Sequence, residues 1–318
     1  MTSILMLILG FTVLIIGAES LVKGASGLAL SFKISPLVVG LTIVAFGTSA
    51  PELFVSIKSA LSGNADLAFG NVIGSNMCNI TLILGITAIV YPITVQKSIL
   101  NFDWPVAFLS IILLYVLTLD HNVSFLDGMV FVIMIILYNY ILIKMSRKET
   151  KAKIEEGDAE SKDIEFKELV KDLLFIAVGS VGLVFGAEWL VDSASKIALD
   201  LGISNRIVGL TVVALGTSAP ELVTSVVAAY RKNSDLGLGN LIGSNIFNIL
   251  SILGFTGLIQ EIHVDELFSS YDIFWVIGAT AILYPLMKSR DRISRWEGVF
   301  LLAIYLAYIV TLIVWKIH

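Results

Sequence analysis

The seven residues Gly47-Thr48-Ser49-Ala50-Pro51-Glu52-Leu53 recur letter for letter as Gly216-Thr217-Ser218-Ala219-Pro220-Glu221-Leu222. A second run, Gly70-Asn71-Val72-Ile73-Gly74-Ser75-Asn76, recurs as Gly239-Asn240-Leu241-Ile242-Gly243-Ser244-Asn245. Both pairs stand 169 residues apart, so no gap separates the two motifs in either copy. At that offset, 31 of the 52 positions from Ile34 to Gly85 are identical. The match reaches back to Gly17-Ala18-Glu19 and Gly186-Ala187-Glu188. Chance likeness between apolar segments does not generate shared runs of Gly, Pro and Glu. The chain is two copies of one structural unit.

Composition says where the unit lives. The 318 residues are 57% hydrophobic and 15% charged, with mean hydropathy +0.91. Soluble domains are nearer 45–50% apolar, so the chain belongs to the membrane class. A spanning helix needs about 20 mostly apolar residues. Ten segments qualify: 3–24, 36–60, 68–91, 101–119, 125–145, 169–193, 205–229, 237–260, 270–287 and 295–316. Met1 to Ile16 lacks a basic lead, so it reads as the first span and not as a signal peptide. Five spans per copy is an odd number, so the second copy enters the membrane from the opposite side, the inverted build of many secondary transporters. The expected fold is an all-α integral membrane protein. Residues 1–145 form the first five-helix repeat, 146–168 a polar, flexible cytoplasmic linker, and 169–318 the second, inverted repeat.

Charge excludes other classes. The net charge is −5 with a pI near 5.3, so there is no basic field for nucleic acid. Cys78 is the sole cysteine, which forbids an intrachain disulfide, and His121, His263 and His318 form no zinc motif. No cofactor is implied. The partners expected are the lipid bilayer and transported ions, and no obligate protein partner is evident. Lys33, Lys97, the cluster Lys144 to Lys167, Arg231, Lys232, Lys288, Arg290, Arg292 and Arg295 fall on one side, which makes that side cytoplasmic. Both termini then face outward, in a cell membrane.

The chemistry lies in the repeated motifs. Glu52 is about four residues, or roughly 6 Å, from the middle of its span, and Glu221 holds the matching place. A charge at that depth costs about 2.5–3.5 kcal/mol or more. Two such carboxylates, without a basic partner in these spans, invite a cation. Pro51 and Pro220 have no N–H, which frees the carbonyls of Gly47 and Gly216. Thr48 and Ser49 sit at i−4 and i−3 from Glu52 and share its face, as Thr217 and Ser218 do for Glu221. Calcium takes 6–8 oxygens at about 2.3–2.6 Å from such groups.

Asn71, Ser75 and Asn79 make one polar stripe, repeated as Asn240, Ser244 and Asn248. Asn79 and Asn248 fall near mid-span and fit coordination better than interhelical bonding. Asn71, Asn76, Asn240 and Asn245 fit a structural role better. Gly70 and Gly74 form a G-x-x-x-G patch suited to close helix approach. Glu19 and Glu188 lie nearer span ends, where a snorkelling or loop contact is expected. Cys78 reads as a small packing residue.

G-T-S-x-P-E followed by G-N-x-I-G-S-N, in both halves, resembles the α-repeats of the sodium/calcium exchanger family of cation/Ca²⁺ antiporters. The resemblance implies a cluster of four cation sites between the second, third, seventh and eighth helices. It makes Glu52 and Glu221 the central calcium ligands, with Thr48 and Thr217 adding backbone carbonyls. Ala45, Thr48, Ser49 and Ser75 would line sodium positions, as would Ala214, Thr217, Ser218 and Ser244. Asn79 and Asn248 would sit in the middle, and the first and sixth helices resemble the pair that slides to switch access. Some members carry aspartate where Asn79 and Asn248 stand, the potassium-dependent branch among them, so two asparagines point to a potassium-independent exchanger. A linker of about two dozen residues cannot hold the regulatory domains of animal exchangers, which implies a prokaryotic, transport-only member.

The expected function is exchange of Na⁺ for Ca²⁺, electrogenic if a third Na⁺ moves. Its nearest rival is H⁺/Ca²⁺ exchange on the same glutamates. A calcium channel is disfavoured by inverted repeats with mid-span ligands. An intramembrane hydrolase is disfavoured because Ser49 and Ser218 lack a buried base, so no enzyme is expected.

Overall fold

The structure, a computed structural model, describes residues 2–32, 34–63, 65–155, 166–201, 214–266 and 268–315. It is helical almost throughout. In chain order the helices are α1 (Thr2–Phe32), α2 (Pro36–Thr48), α3 (Ala50–Leu61), α4 (Leu67–Val90), α5 (Ile99–Leu117) and α6 (Phe125–Glu155). Then come α7 (Phe166–Asp200), α8 (Ala214–Thr217), α9 (Ala219–Tyr230), α10 (Ser234–Ile259), α11 (Ile273–Arg290) and α12 (Arg295–Trp315).

Seven of these are long and apolar enough to cross a membrane: α1, α4, α5, α6, α7, α10 and α12. The bent pair α2 and α3 makes an eighth span if counted as one, with 45° between its halves. Of the two remaining expected spans, 205–229 begins outside the described residues and continues as α8 and α9. The expected span 270–287 overlaps α11, which carries Lys288 and Arg290 in its last turn and is not among the seven. At about 1.5 Å per residue, the 35 residues of α7 extend well beyond a 30 Å hydrocarbon core.

The expected linker 146–168 is corrected in part. Residues Ser146 to Glu155 continue α6 as helix, and 156–165 lie outside the described residues. Lys148, Lys151, Glu149 and Glu155 are good helix formers, so a polar stretch extends the helix once α6 has nucleated it. Ser146 is buried, and its hydroxyl accepts the Ser35 N–H at 3.2 Å.

The chain forms two compact units, each drawing helices from both halves of the sequence. One comprises 1–51 and 136–240, the other 52–135 and 241–318. The first is built on α1 against α7. Glycines pave this contact: a Cβ on Gly10 would meet Leu190 N at 2.8 Å, one on Gly17 would meet Leu183 N at 2.9 Å, and one on Gly179 would meet Leu21 N at 2.6 Å. Rising numbers on α1 against falling numbers on α7 make the pair antiparallel. Leu14, Ala18, Leu21, Leu183 and Ala187 fill the core beside them. The opposite face of α1, with Ile4, Leu5, Ile8, Phe11 and Ile16, is exposed, as a lipid-facing surface must be. Polar clasps join α1 to the end of α9. Arg231 pairs with Glu19 at 2.6 Å, and Asn233 donates to Ser26 Oγ at 2.9 Å. The end-of-span contact expected of Glu19 is thus with Arg231.

In the second unit α4 meets α12 through Gly85 and Gly298, where a Cβ on either would reach the other's carbonyl within 2.9 Å. Trp104 of α5 donates Nε1–H to the Thr280 carbonyl of α11 at 2.8 Å. Two short antiparallel pairs tie the loops: Ile93–Thr94 with Arg292–Ile293, and Asn122–Val123 with Ile262–His263. Capping boxes start the helices that follow, with Ser124 against Asp127 and Ser294 against Glu297. Among the described residues neither glycine of the G-x-x-x-G patch meets another helix's backbone. A Cβ on Gly70 would strike the Phe268 ring at 2.9 Å, while Gly74 faces nothing within 4 Å.

Candidate cation-binding site

Both repeated motifs break their helix at the serine. Ser49 (φ −84°, ψ 4°) separates α2 from α3, and Ser218 (φ −90°, ψ 8°) separates α8 from α9. The proline two residues later explains the break, because it cannot supply the N–H that would continue the ladder. Ser49 N–H still closes on the Ala45 carbonyl at 2.9 Å, and Leu222 N–H on the Ser218 carbonyl at 3.1 Å. The break turns the serine hydroxyls and the glutamates that follow into the interior.

In the first unit, Glu221 is 1% exposed and accepts a hydrogen bond at Oε1 from the Ser49 hydroxyl at 3.1 Å. Thr48 is buried too. Its hydroxyl donates to Asn240 Oδ1 at 3.0 Å and lies 3.3 Å from the Ala45 carbonyl. Asn240 in turn donates to Ser225 Oγ at 3.1 Å. Ala45 and Ser218 are buried alongside, and Thr217 is half-buried. The Ala214 side chain lies outside the described residues.

In the second unit, Glu52 is also 1% exposed. Its backbone carbonyl accepts from Asn71 Nδ2 at 3.2 Å, and Asn71 also donates to Ser56 Oγ at 3.0 Å. Ser75, Asn79, Ser244 and Asn248 are all buried. Asn79 Nδ2 donates to Asn245 Oδ1 at 3.1 Å, and Asn248 Nδ2 to Asn76 Oδ1 at 3.1 Å. Asn79 Oδ1, Asn248 Oδ1 and Ser244 Oγ are buried and bond no group among the described residues. Both central asparagines lie on π-helical turns, Cys78–Ile83 and Asn248–Leu253. Such turns are frequent at functional sites because the widened ring shifts side-chain direction.

The sequence placed Asn71 and Asn240 as structural, and the bonds agree: each ties its helix to the serine four residues past the motif glutamate. Those serines, Ser56 and Ser225, escaped the sequence reading. Their identity at the 169-residue offset was the available signal. Asn76 and Asn245 are more than packing, since each is the acceptor for a mid-span asparagine. Among the described residues no group of three or more His, Cys, Asp or Glu could hold a metal. The donors are instead hydroxyls, carboxamides, carbonyls and single carboxylates, a set suited to hard cations that bind and leave.

Buried oxygen donors, repeated within a multi-pass helical membrane protein, define the class of a cation transporter. The family model for sodium/calcium exchanger proteins matches residues 2–144 and 171–314, and the chain belongs to that family as a cation/Ca²⁺ exchanger of prokaryotic type. It is 36% identical over 305 residues to an uncharacterized membrane protein of Methanocaldococcus jannaschii, with 96% of each chain covered. It is 33% identical to the sodium/calcium exchanger MaX1 of Methanosarcina acetivorans, covering 97% of both. Among solved structures it matches the sodium-calcium exchanger NCX_Mj soaked with Na⁺ and Ca²⁺, at TM-score 0.84 and 33% identity over 98% of this chain and 99% of that one.

Proposed function

We propose that the protein exchanges Na⁺ for Ca²⁺ by alternating access, electrogenically and without K⁺, with Glu52 and Glu221 as the central calcium ligands. The observation that carries this reading is the buried Glu221 carboxylate bonded to the serine of the other motif copy, with Glu52 equally buried. Thr48 and Thr217 add backbone carbonyls to the calcium position, Ala45, Thr48, Ser49, Ser75, Ala214, Thr217, Ser218 and Ser244 line the sodium positions, and Asn79 and Asn248 sit in the middle. Proton coupling needs only the two carboxylates. The number of neutral oxygens favours Na⁺, and MaX1, called a sodium/calcium exchanger, supports it.

In this reading the chain is ten helices in two inverted five-helix repeats, with both termini outside and the segment 146–168 cytoplasmic. Two ionised glutamates carry −2, which one Ca²⁺ or two Na⁺ neutralise. A loaded site can then be closed into low dielectric, and an empty one resists closure. Exchange becomes obligatory because only loaded states switch. A third Na⁺ moves one net charge per cycle, worth about 2.3 kcal/mol per 100 mV.

The test is ⁴⁵Ca²⁺ uptake into Na⁺-loaded proteoliposomes, with Glu52→Gln and Glu221→Gln in parallel. Uptake should need the outward Na⁺ gradient, ignore K⁺, respond to an imposed potential and vanish in both variants. Uptake driven by a pH gradient would move the protein to the H⁺/Ca²⁺ reading. Uptake without any counter-gradient would make it a channel.

A further inference from the structure

Four buried asparagines form two bonds that are one bond made twice. Asn79 and Asn248 are equivalent at the 169-residue offset, and so are Asn76 and Asn245. Asn79 Nδ2 donates to Asn245 Oδ1 at 3.1 Å, and Asn248 Nδ2 donates to Asn76 Oδ1 at 3.1 Å. All four are at most 1% exposed. Helices α4 and α10 thus exchange carboxamide bonds reciprocally, each giving through its mid-span asparagine and receiving through the asparagine three residues earlier. What is left over is also symmetric. Among the described residues, Asn79 Oδ1 and Asn248 Oδ1 are acceptors with no bonded group, and Asn76 Nδ2 and Asn245 Nδ2 are donors with none.

A buried polar atom without a partner costs about 1–3 kcal/mol, and such atoms are rare in native interiors. Four in two matched pairs call for a purpose. A carboxamide is planar, so fixing its NH₂ fixes the direction of its oxygen. We propose that Asn76 and Asn245 are positioning residues: by accepting the NH₂ of Asn248 and Asn79, they hold the oxygens of those two asparagines toward the transported cation. The inference rests on the reading of Asn79 and Asn248 as cation ligands. It adds that the direction of their oxygens is set from outside the ligand shell. Each pair could also bond with both amides turned over, which would aim NH₂ groups at the cation. An ionised aspartate at 76 or 245 has no donor and forbids that arrangement.

This makes a test on which packing and positioning disagree. Leucine is an apolar near-isostere of asparagine, whereas aspartate brings a buried charge. If these residues only pack, Asn245→Leu is tolerated and Asn245→Asp is harmful. If they position oxygens, the order is reversed. The experiment measures half-saturation for Na⁺ and Ca²⁺, separately from the maximum rate per folded molecule, in proteoliposomes of Asn76→Leu, Asn245→Leu, Asn76→Asp and Asn245→Asp. Ion-dependent thermal stabilisation of the purified proteins gives a second readout. The leucine variants should weaken half-saturation by about tenfold, as loss of a supporting bond around a metal does, with the maximum rate per molecule retained. The aspartate variants should bind as tightly as the unmodified chain or tighter. If a leucine variant does not fold, alanine at the same position carries the same expectation. Unchanged half-saturation in the leucine variants, or aspartate variants as weak as leucine, overturns the proposal. Absence of Na⁺-dependent uptake by the unmodified chain would instead overturn the exchanger reading itself.

Discussion

The hydroxyl of Ser49 lies 3.1 Å from Glu221 Oε1, so a side chain from one copy of the repeated motif holds the carboxylate of the other. The bond orients the carboxylate with a neutral donor and leaves its negative charge in place, as a cation ligand requires. A hydrogen bond to a charged group is worth about 1.5–3 kcal/mol. Ser49→Ala should therefore raise the half-saturation for Na⁺ by about tenfold or more while preserving some exchange, whereas Glu221→Gln abolishes it. Gradient-driven ⁴⁵Ca²⁺ uptake at graded Na⁺ concentrations separates the two.

Asn240 is the hub of a chain that runs from the Thr48 hydroxyl through the carboxamide to Ser225 Oγ. Asn240→Leu leaves the Thr48 hydroxyl only the Ala45 carbonyl at 3.3 Å and the Ser225 hydroxyl only the Gly237 carbonyl at 3.4 Å, long bonds both, so the loss should be about 1 kcal/mol or more. The purified protein should melt several degrees lower, and Ser225→Ala should show a smaller shift. Equal melting of Asn240→Leu and the unmodified chain would mean that these bonds carry no net stability.

Glycine substitutions should divide by what surrounds each glycine. Gly179→Val puts a side chain where Leu21 N would stand 2.6 Å from its Cβ, and should cost about 3 kcal/mol by overpacking. Gly74→Ala meets nothing within 4 Å, and should be neutral or gain up to about 1 kcal/mol of helix propensity. Yield of monodisperse protein and its melting temperature check both.

The Glu19–Arg231 pair is short at 2.6 Å, yet its side chains are 48% and 59% exposed. Exposed pairs are worth about 0–1 kcal/mol. Arg231→Gln should leave the melting temperature nearly unchanged at moderate salt.

Residue identity made much of this legible. A repeated Glu beside Pro, Thr and Ser in an apolar span is chemistry that survives without coordinates. The long apolar helices were legible for the same reason, since length and hydropathy are local properties. What was hidden depends on register between distant helices. Nothing in the sequence says that Ser49 reaches Glu221, or that Asn76 receives Asn248, because interhelical pairing follows from packing that no local pattern encodes. The π-turns at Cys78–Ile83 and Asn248–Leu253 were equally invisible, as one residue inserted into a helix leaves no local signature in the sequence. The helical course of Ser146 to Glu155 was missed because charge density was weighed above helix propensity.

The glycine-paved seam between α1 and α7 bears on how the chain is made. Ser20 and its acceptor carbonyl on Phe175, one bond along that seam, are separated by 155 residues of sequence. At about 5–20 residues per second of synthesis, α1 waits on the order of ten seconds or more before its partner exists. During that interval its glycine groove, shaped for a backbone and for nothing else, faces lipid or the insertion machinery. The residues that keep α1 in the bilayer meanwhile are those of its other face, Ile4, Leu5, Ile8, Phe11 and Ile16, which need no partner at all. The two faces of α1 thus serve successive stages of biogenesis: one retains the helix at once, and the other recognises a neighbour made later.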